Sequence, residues 1–216
     1  MEVMIPGFII VAGLQGGGKS YFIKWFMHTY RKKFDWGVVF TNTGFAGDNF
    51  DYVPCQYVHA KYDDKALIAL KNLHERLIKE GKSPSAFVIF DDCLFGKQWN
   101  DENFKTLITQ LRHYRITCII SCQYPQSVTP LFRTNAFQVV MFYMGSEPAL
   151  KALYNSYGQM FNNYSAFKKY LIENTGDHQF LWYDARNGAT TLEGRYKVMK
   201  CPAELPKFML KYTKKI

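Results

Sequence analysis

The chain has 216 residues, of which 48% are hydrophobic, 17% aromatic and 21% charged. A chain of that size suits one domain that buries about 70% of its unfolded surface, which removes any need for disulfide or metal staples, and no apolar run approaches the roughly 20 residues that span a bilayer. A formal net charge of +9 points to a polyanionic partner, DNA or RNA, with a merely soluble basic protein as the plainer alternative.

The start, Met1-Glu2-Val3-Met4-Ile5-Pro6, lacks a positive segment, so no secretory leader is expected. Phe8–Ala12 then reads as a buried strand and Lys19–Lys32 as a helix. Between them stands Gly13-Leu14-Gln15-Gly16-Gly17-Gly18-Lys19-Ser20, which fits G-x-x-x-x-G-K-[ST] at every fixed position. Strand, glycine loop and helix start are the setting of a phosphate loop. The glycines let backbone N–H groups turn inward on a phosphate, and the helix adds its positive end. Lys19 is expected to reach the β- and γ-phosphates and Ser20 to hold Mg²⁺.

Further along, Gly37–Thr41 is the next expected strand, with a short one at Asp51–His59 and a helix at Asp64–Glu80. Ala86–Asp91 is an apolar strand that ends in two acids, Asp91 and Asp92. Beside a phosphate loop, the first suits the Mg²⁺ side and the second the orientation or deprotonation of an attacking water. The plain alternative is an acid that caps the following loop.

A helix over Glu102–Tyr114 and a strand over Ile116–Cys122 follow, and the strand ends at Gln123. In a parallel sheet it would lie beside the Asp91 strand, where the amide of Gln123 touches a γ-phosphate or the attacking water. Phe137–Met144 is the last core strand. Alternating strands and helices imply an α/β fold, mostly parallel, with helices on both faces. Glu147–Tyr157 and Ser165–Glu173 read as helices. Gln179–Arg186 and Thr190–Val198 read as strands around the turn signal Asn187-Gly188. The division expected is a core over 1–145 and a small α+β extension over 146–216, packed together as one compact domain and ending in a basic tail.

The five cysteines (Cys55, Cys93, Cys118, Cys122, Cys201) lack paired C-x-x-C spacing and read as reduced thiols, and the five histidines show no ligand spacing.

Together, the loop Gly13–Ser20, the Asp91-Asp92 strand end and Gln123 resemble the FtsK–HerA superfamily of ring-forming, RecA-like (ASCE) P-loop ATPases. Arg112 stands eleven residues before Gln123, as in that family, and Tyr124-Pro125 follows the Gln. Leu131-Phe132-Arg133-Thr134-Asn135 resembles the segment that leads to the family's next strand. Short length, the Asp-Asp end and Leu111-Arg112-His113 are most similar to the genome-packaging branch of poxviruses, other large DNA viruses, virophages and tailless icosahedral viruses. The resemblance covers roughly residues 5 to 145. Two positions depart from the cellular pumps: Asp92 replaces Glu, and Tyr124 replaces a frequent Arg.

The resemblance implies ATP and Mg²⁺ as ligands, Gly13–Ser20 as the ATP cradle, Ser20 and Asp91 toward the metal, and Lys19, Asp92 and Gln123 in catalysis. It implies Arg112 as an arginine finger supplied by a neighbouring copy, with Arg115 and Arg133 as the next candidates. Ordinary salt bridges or DNA contacts are the alternative roles for all three. Implied partners are double-stranded DNA, further copies in a pentameric or hexameric ring, and capsid portal or vertex proteins. Host cytoplasm or a viral factory is the implied location, with association with the virion as the alternative. A helicase, a phage-assembly ATPase or a nucleotide-dependent DNA-binding scaffold would share much of this motif set. Pore candidates are Thr43–Asn49, Cys93–Asn100 with Lys97, and the tail lysines Lys207, Lys211, Lys214 and Lys215.

Overall fold

Eight strands form one sheet: β1 (Phe8–Ala12), β2 (Trp36–Thr41), β3 (Val58–His59), β4 (Ala86–Asp91), β5 (Ile116–Cys122), β6 (Gln138–Met141), β7 (Gln179–Asp184) and β8 (Tyr196–Lys200). The computed structural model describes residues 3, 5–42, 48–94, 96–186 and 188–212. Residues 43–47 of the expected Thr43–Asn49 loop, the turn residue Asn187, the side chain of Lys97 and the tail lysines Lys214 and Lys215 lie outside that description.

The strand order is β3-β2-β4-β5-β1-β6-β7-β8. The first six run parallel, and β7 and β8 join antiparallel. Every residue of β1, β2, β4, β5 and β6 is buried. That is why these strands read as continuous apolar runs: helices cover both faces of the sheet.

The alternation along β4 separates the two layers. Phe90 meets Phe104 of α3 (Glu102–Thr109), while Phe87, pointing the other way, meets Phe34 and Tyr212. On the Phe90 side lie α2 (Asp64–Lys79), α3, α4 (Leu111–Tyr114) and α5 (Pro130–Asn135). On the other side lies α1 (Lys19–Tyr30), whose Phe22 packs on Phe142, Phe180 and Trp182. The remaining helices, α6 (Glu147–Tyr157), α7 (Tyr164–Glu173) and α8 (Leu192–Arg195), belong to the C-terminal third.

Several elements differ from the sequence expectation. The single helix over Glu102–Tyr114 breaks at Gln110 (φ −119°, ψ 19°), where the Thr109 hydroxyl bonds back to the carbonyls of Lys105 and Thr106. The strand over Asp51–His59 shrinks to two residues because Pro54 has no N–H and 3-10 turns occupy Asp48–Phe50 and Cys55–Tyr57. The expected strand from Thr190 begins only at Tyr196, because Thr191 caps α8 by accepting the Gly194 N–H. β7 and β8 are therefore joined by a long connection and not by a two-residue turn. Helix α5, with Pro130 in its first turn, was not expected.

After β8 the chain crosses the α1 face toward the opposite edge of the sheet. Phe208 stacks on Tyr52, Leu210 donates its N–H to the Tyr52 carbonyl (2.8 Å), and the Tyr212 hydroxyl donates to the Gly37 carbonyl.

Candidate nucleotide site

The phosphate-loop segment is anchored on both sides. Gly13 donates its N–H to the Cys122 carbonyl (3.2 Å), and Leu14 donates to Tyr143 (3.4 Å). A Cβ on Gly13 would lie 2.7 Å from the Phe142 Cβ, so only glycine fits there. Gly18 has φ +98°, a conformation that glycine reaches without strain, and it hands the chain into α1. Lys19 is 5% exposed. Its ammonium donates to the carbonyls of Gly13 (3.0 Å) and Leu14 (3.1 Å) and sits 3.4 Å from Asp92 Oδ2.

The register sets the opposite wall. Thr41 pairs with Asp91 and Asp91 with Ser121, so three neighbouring strands end in one polar row beside the loop. Asp91 is 4% exposed and accepts the Ser121 hydroxyl on Oδ1. Ser121 Oγ in turn accepts the Asp92 N–H (3.2 Å). One hydroxyl thus ties the two acids together. Asp92 has φ +46°, a left-handed backbone costly for most residues but tolerated by Asp. Gln123 Nε2 donates to Asp92 Oδ2 (3.2 Å), and Asn42 Nδ2 donates to the Asp92 carbonyl (3.2 Å). A cavity of about 140 Å³ opens beside Asp92, Ser121, Gln123, Trp99 and Tyr124, which is room for ordered water next to a carboxylate and an amide.

Burial pushes the Asp91 carboxyl above its usual range, and the Asp92 charge adds to the rise. The Ser121 hydroxyl, the Lys19 ammonium and Thr41 oppose it. A hard divalent cation suits such an acid, because it replaces the hydration that burial removed. Among the described residues no group of three His, Cys, Asp or Glu side chains forms a metal site. A cation here would therefore lean on phosphate oxygens, with Ser20 and Asp91 beside them. Burial raises the thiols of Cys93, Cys122 and Cys201 to about 12, so they stay protonated near the site.

The three candidate arginines separate by position. Arg115 Nε donates to the Pro84 carbonyl (3.1 Å), and Arg133 Nη1 donates to the Pro125 and Val128 carbonyls. Both brace loops of their own chain. Arg112 is exposed on α4 and borders a cavity with Gly7, Phe8, Asn135 and Phe137. That cavity lies at the start of β1, whereas the phosphate loop lies at its end. The structure therefore groups Lys19, Asp91, Asp92 and Gln123 and leaves Arg112 at the far end of the strands.

Residues 5–155 match the sequence family described as Poxvirus A32 protein. The chain belongs to that family. This Poxvirus A32 family chain is also similar to protein 075L of Invertebrate iridescent virus 6, 29% identical over 82% of this chain and 69% of that protein. Protein L437 of Acanthamoeba polyphaga mimivirus is 27% identical over 90% of this chain and 72% of its own length. Among solved structures, the genome packaging NTPase B204 of Sulfolobus turreted icosahedral virus 2, in complex with sulfate, superposes with a TM-score of 0.67. It shares 21% identity, covering 94% of this chain and all of that one, and at that identity the likeness concerns the fold: a P-loop NTPase sheet with its added strands.

The sequence reading of this Poxvirus A32 family chain missed Ser121, Thr41 and Asn42. Thr41 ends β2, Asn42 follows it and Ser121 is the second-last residue of β5, but only the cross-strand register brings them to the acids. A Ser two residues before Gln123, in a strand expected beside Asp91, was the available signal.

Proposed function

We propose that this chain is an ATP-driven motor that moves double-stranded viral DNA into a preformed capsid. The observation that carries the reading is the convergence of Lys19, Asp91, Asp92 and Gln123 on one phosphate loop, in a member of the Poxvirus A32 protein family. The fold shared with a genome packaging NTPase supports it, and so does the net charge of +9.

The phosphates of ATP lie on the backbone N–H groups of Gly13–Ser20. Lys19 turns from the Gly13 and Leu14 carbonyls to the β- and γ-phosphates. Asp92 Oδ2, steadied by Gln123, orients a water and takes its proton as the water oxygen attacks the γ-phosphorus and ADP leaves. Gln123 touches both that carboxylate and the place of the γ-phosphate, so phosphate release reaches β5 through it. Ser20 and Asp91 would hold Mg²⁺, which would supply positive charge to offset the charge of the phosphates. Arg112 of a neighbouring copy completes the site, which calls for a ring of five or six copies. Basic loops grip the DNA backbone, because phosphate contacts ignore sequence. Work of this kind places the protein at a capsid vertex in the host cytoplasm or viral factory. Among the described residues no helix is long and apolar enough to cross a membrane.

The deciding experiment measures ATP turnover with and without duplex DNA, and duplex affinity against salt. DNA-stimulated turnover is expected, with log affinity falling by about 0.9 per neutralised phosphate per log unit of salt. Turnover indifferent to DNA together with a slope near zero overturns the reading.

A further inference from the structure

Tyr52 follows the 3-10 turn Asp48–Phe50 and lies beneath the C-terminal segment. It is fully buried, and among the described residues its hydroxyl has no hydrogen-bond partner. A phenol taken out of water without a partner costs stability, and phenylalanine would fill the same space without that cost. The hydroxyl calls for a partner that the chain itself does not supply.

Three observations place that hydroxyl. Along β4, Asp91 shares a face with Phe87, which meets Tyr212 of the C-terminal segment. Phe208 of the same segment stacks on the Tyr52 ring, with centroids 4.8 Å apart and 22° between the planes. Asp91 and Tyr52 therefore belong to one layer, on the α1 side of the sheet. On α1, Lys24 stands one turn beyond Ser20 on the same helix face. Its ammonium lies 5.9 Å from the centroid of the Tyr52 ring and pairs with Asp51 (2.7 Å). Sheet and helix thus bring Asp91 and Ser20 toward Tyr52 from two directions. Finally, burial and then the Asp91 charge raise the pKa of the phenol, and Asp91 acts more strongly than Asp51, its neighbour in the chain. The hydroxyl keeps its proton and is available as a donor.

We propose that Tyr52 is a positioning residue for the Mg²⁺ side of the nucleotide site, its hydroxyl donating through one water to the Asp91 carboxylate that faces the cation. Since no direct bond joins the two groups, a bridging water is the ordinary link between them. The proposal rests on the reading of Ser20 and Asp91 as the residues that face Mg²⁺. It also accounts for the path of the C-terminal segment. Phe208 covers the ring, and the Leu210 N–H donates to the Tyr52 carbonyl (2.8 Å), so ring and backbone are both held. A donor that positions a carboxylate has to be fixed in this way.

Calorimetric titration of the full chain with AMPPCP, a non-hydrolysable ATP analogue, tests it, once with Mg²⁺ and once with EDTA. The wild type is expected to bind the analogue more tightly with Mg²⁺. Tyr52→Phe should keep its affinity in EDTA and lose about fivefold in Mg²⁺, the effect of one hydrogen bond. Without nucleotide it should melt at or above the wild type, because it buries no unpartnered hydroxyl. An equal gain from Mg²⁺ in both proteins overturns the proposal. So does a loss shared by both conditions, or a lower melting midpoint, either of which makes the hydroxyl a structural group. A wild type that binds the analogue equally with and without Mg²⁺ removes the cation from the site, and Tyr52 with it. A wild type that does not bind it at all sinks the phosphate-loop reading itself.

Discussion

The two ends of the parallel strands are built differently. At the C-terminal ends, Thr41, Asp91, Ser121 and the phosphate loop hold one another: Ser121 joins both acids, Lys19 joins the loop to Asp92, and Gln123 steadies the same carboxylate. At the N-terminal ends, Arg112 stands exposed beside a cavity of about 250 Å³. The five residues of β1 separate the two ends by about 17 Å. The first end gathers its polar side chains within one chain. The second offers a cation that acts on a phosphate only if another copy brings its own site to it.

The strongest way to break this comparison is Arg112→Ala. If Arg112 serves a neighbour, assembled protein should lose about 10³-fold or more in turnover and keep its ATP affinity. Mixtures with wild type should fall below the weighted average, because each inactive chain also spoils an active neighbour. Turnover that simply averages would leave Arg112 as a local structural residue.

Asp92→Asn attacks the self-contained end. Removal of a general base is expected to cost about 10²- to 10⁴-fold in turnover, whereas ATP binding stays within a few-fold. A joint loss of binding and turnover would show that Asp92 matters for positioning Lys19 rather than for water.

Ser121→Ala sharpens the comparison further. It cuts the tie between Asp91 and Asp92 and leaves every proposed phosphate contact in place. A fall of about tenfold in kcat with KM little changed is expected, the size of one hydrogen bond to a charged group. Ser121→Thr, which keeps a hydroxyl, should recover much of it. Equal activity in all three proteins would remove Ser121 from the site.

How much of this could be read from the sequence follows from how local each cause is. β1, β4 and β5 match their expected bounds, because a strand buried on both faces shows itself as an unbroken apolar run. The loop Gly13–Ser20 and the acids Asp91 and Asp92 were legible for a similar reason: each is a contiguous string with its own chemistry. Ser121 was not, because its importance comes from standing opposite Asp91 across two strands. The C-terminal third was hidden more deeply: β7 turns antiparallel beside β6 and the segment after β8 returns to Tyr21, and neither is written in a local pattern. The break at Gln110 and the start of α8 at Leu192 came from single side chains that compete with the backbone, and periodicity does not register them.

The smallest expected effect separates the two ends by pH. His74 is fully buried and joins the far end together: its Nδ1–H donates to the carbonyl of Tyr114, the last residue of the helix that carries Arg112, and its Nε2 accepts the indole N–H of Trp36 (3.0 Å). Burial lowers its pKa, and a second proton would set an Nε2–H against the Trp36 donor. Because the folded value lies below the unfolded one of about 6.5, the contribution of His74 is whole above that pH and is lost as pH falls toward the folded value. Asp91 has the opposite sign. Its folded value is raised, so its contribution is whole at acid pH and is lost as pH rises through that value. Melting curves from pH 7.5 to 5 should therefore follow the loss at His74, each kcal/mol moving the midpoint by about 2–4 °C. His74→Gln should melt below wild type at pH 7.5 and lose less on acidification. Asp91→Asn, free of the buried charge, should melt at or above wild type at pH 7.5 without nucleotide, even though its Mg²⁺-dependent turnover collapses. A site residue whose removal stabilises the fold would mark the C-terminal end as the place where stability is given up for phosphate chemistry. If Asp91→Asn melts lower instead, the carboxylate is a structural partner of Ser121 first, and the contrast between the two ends disappears.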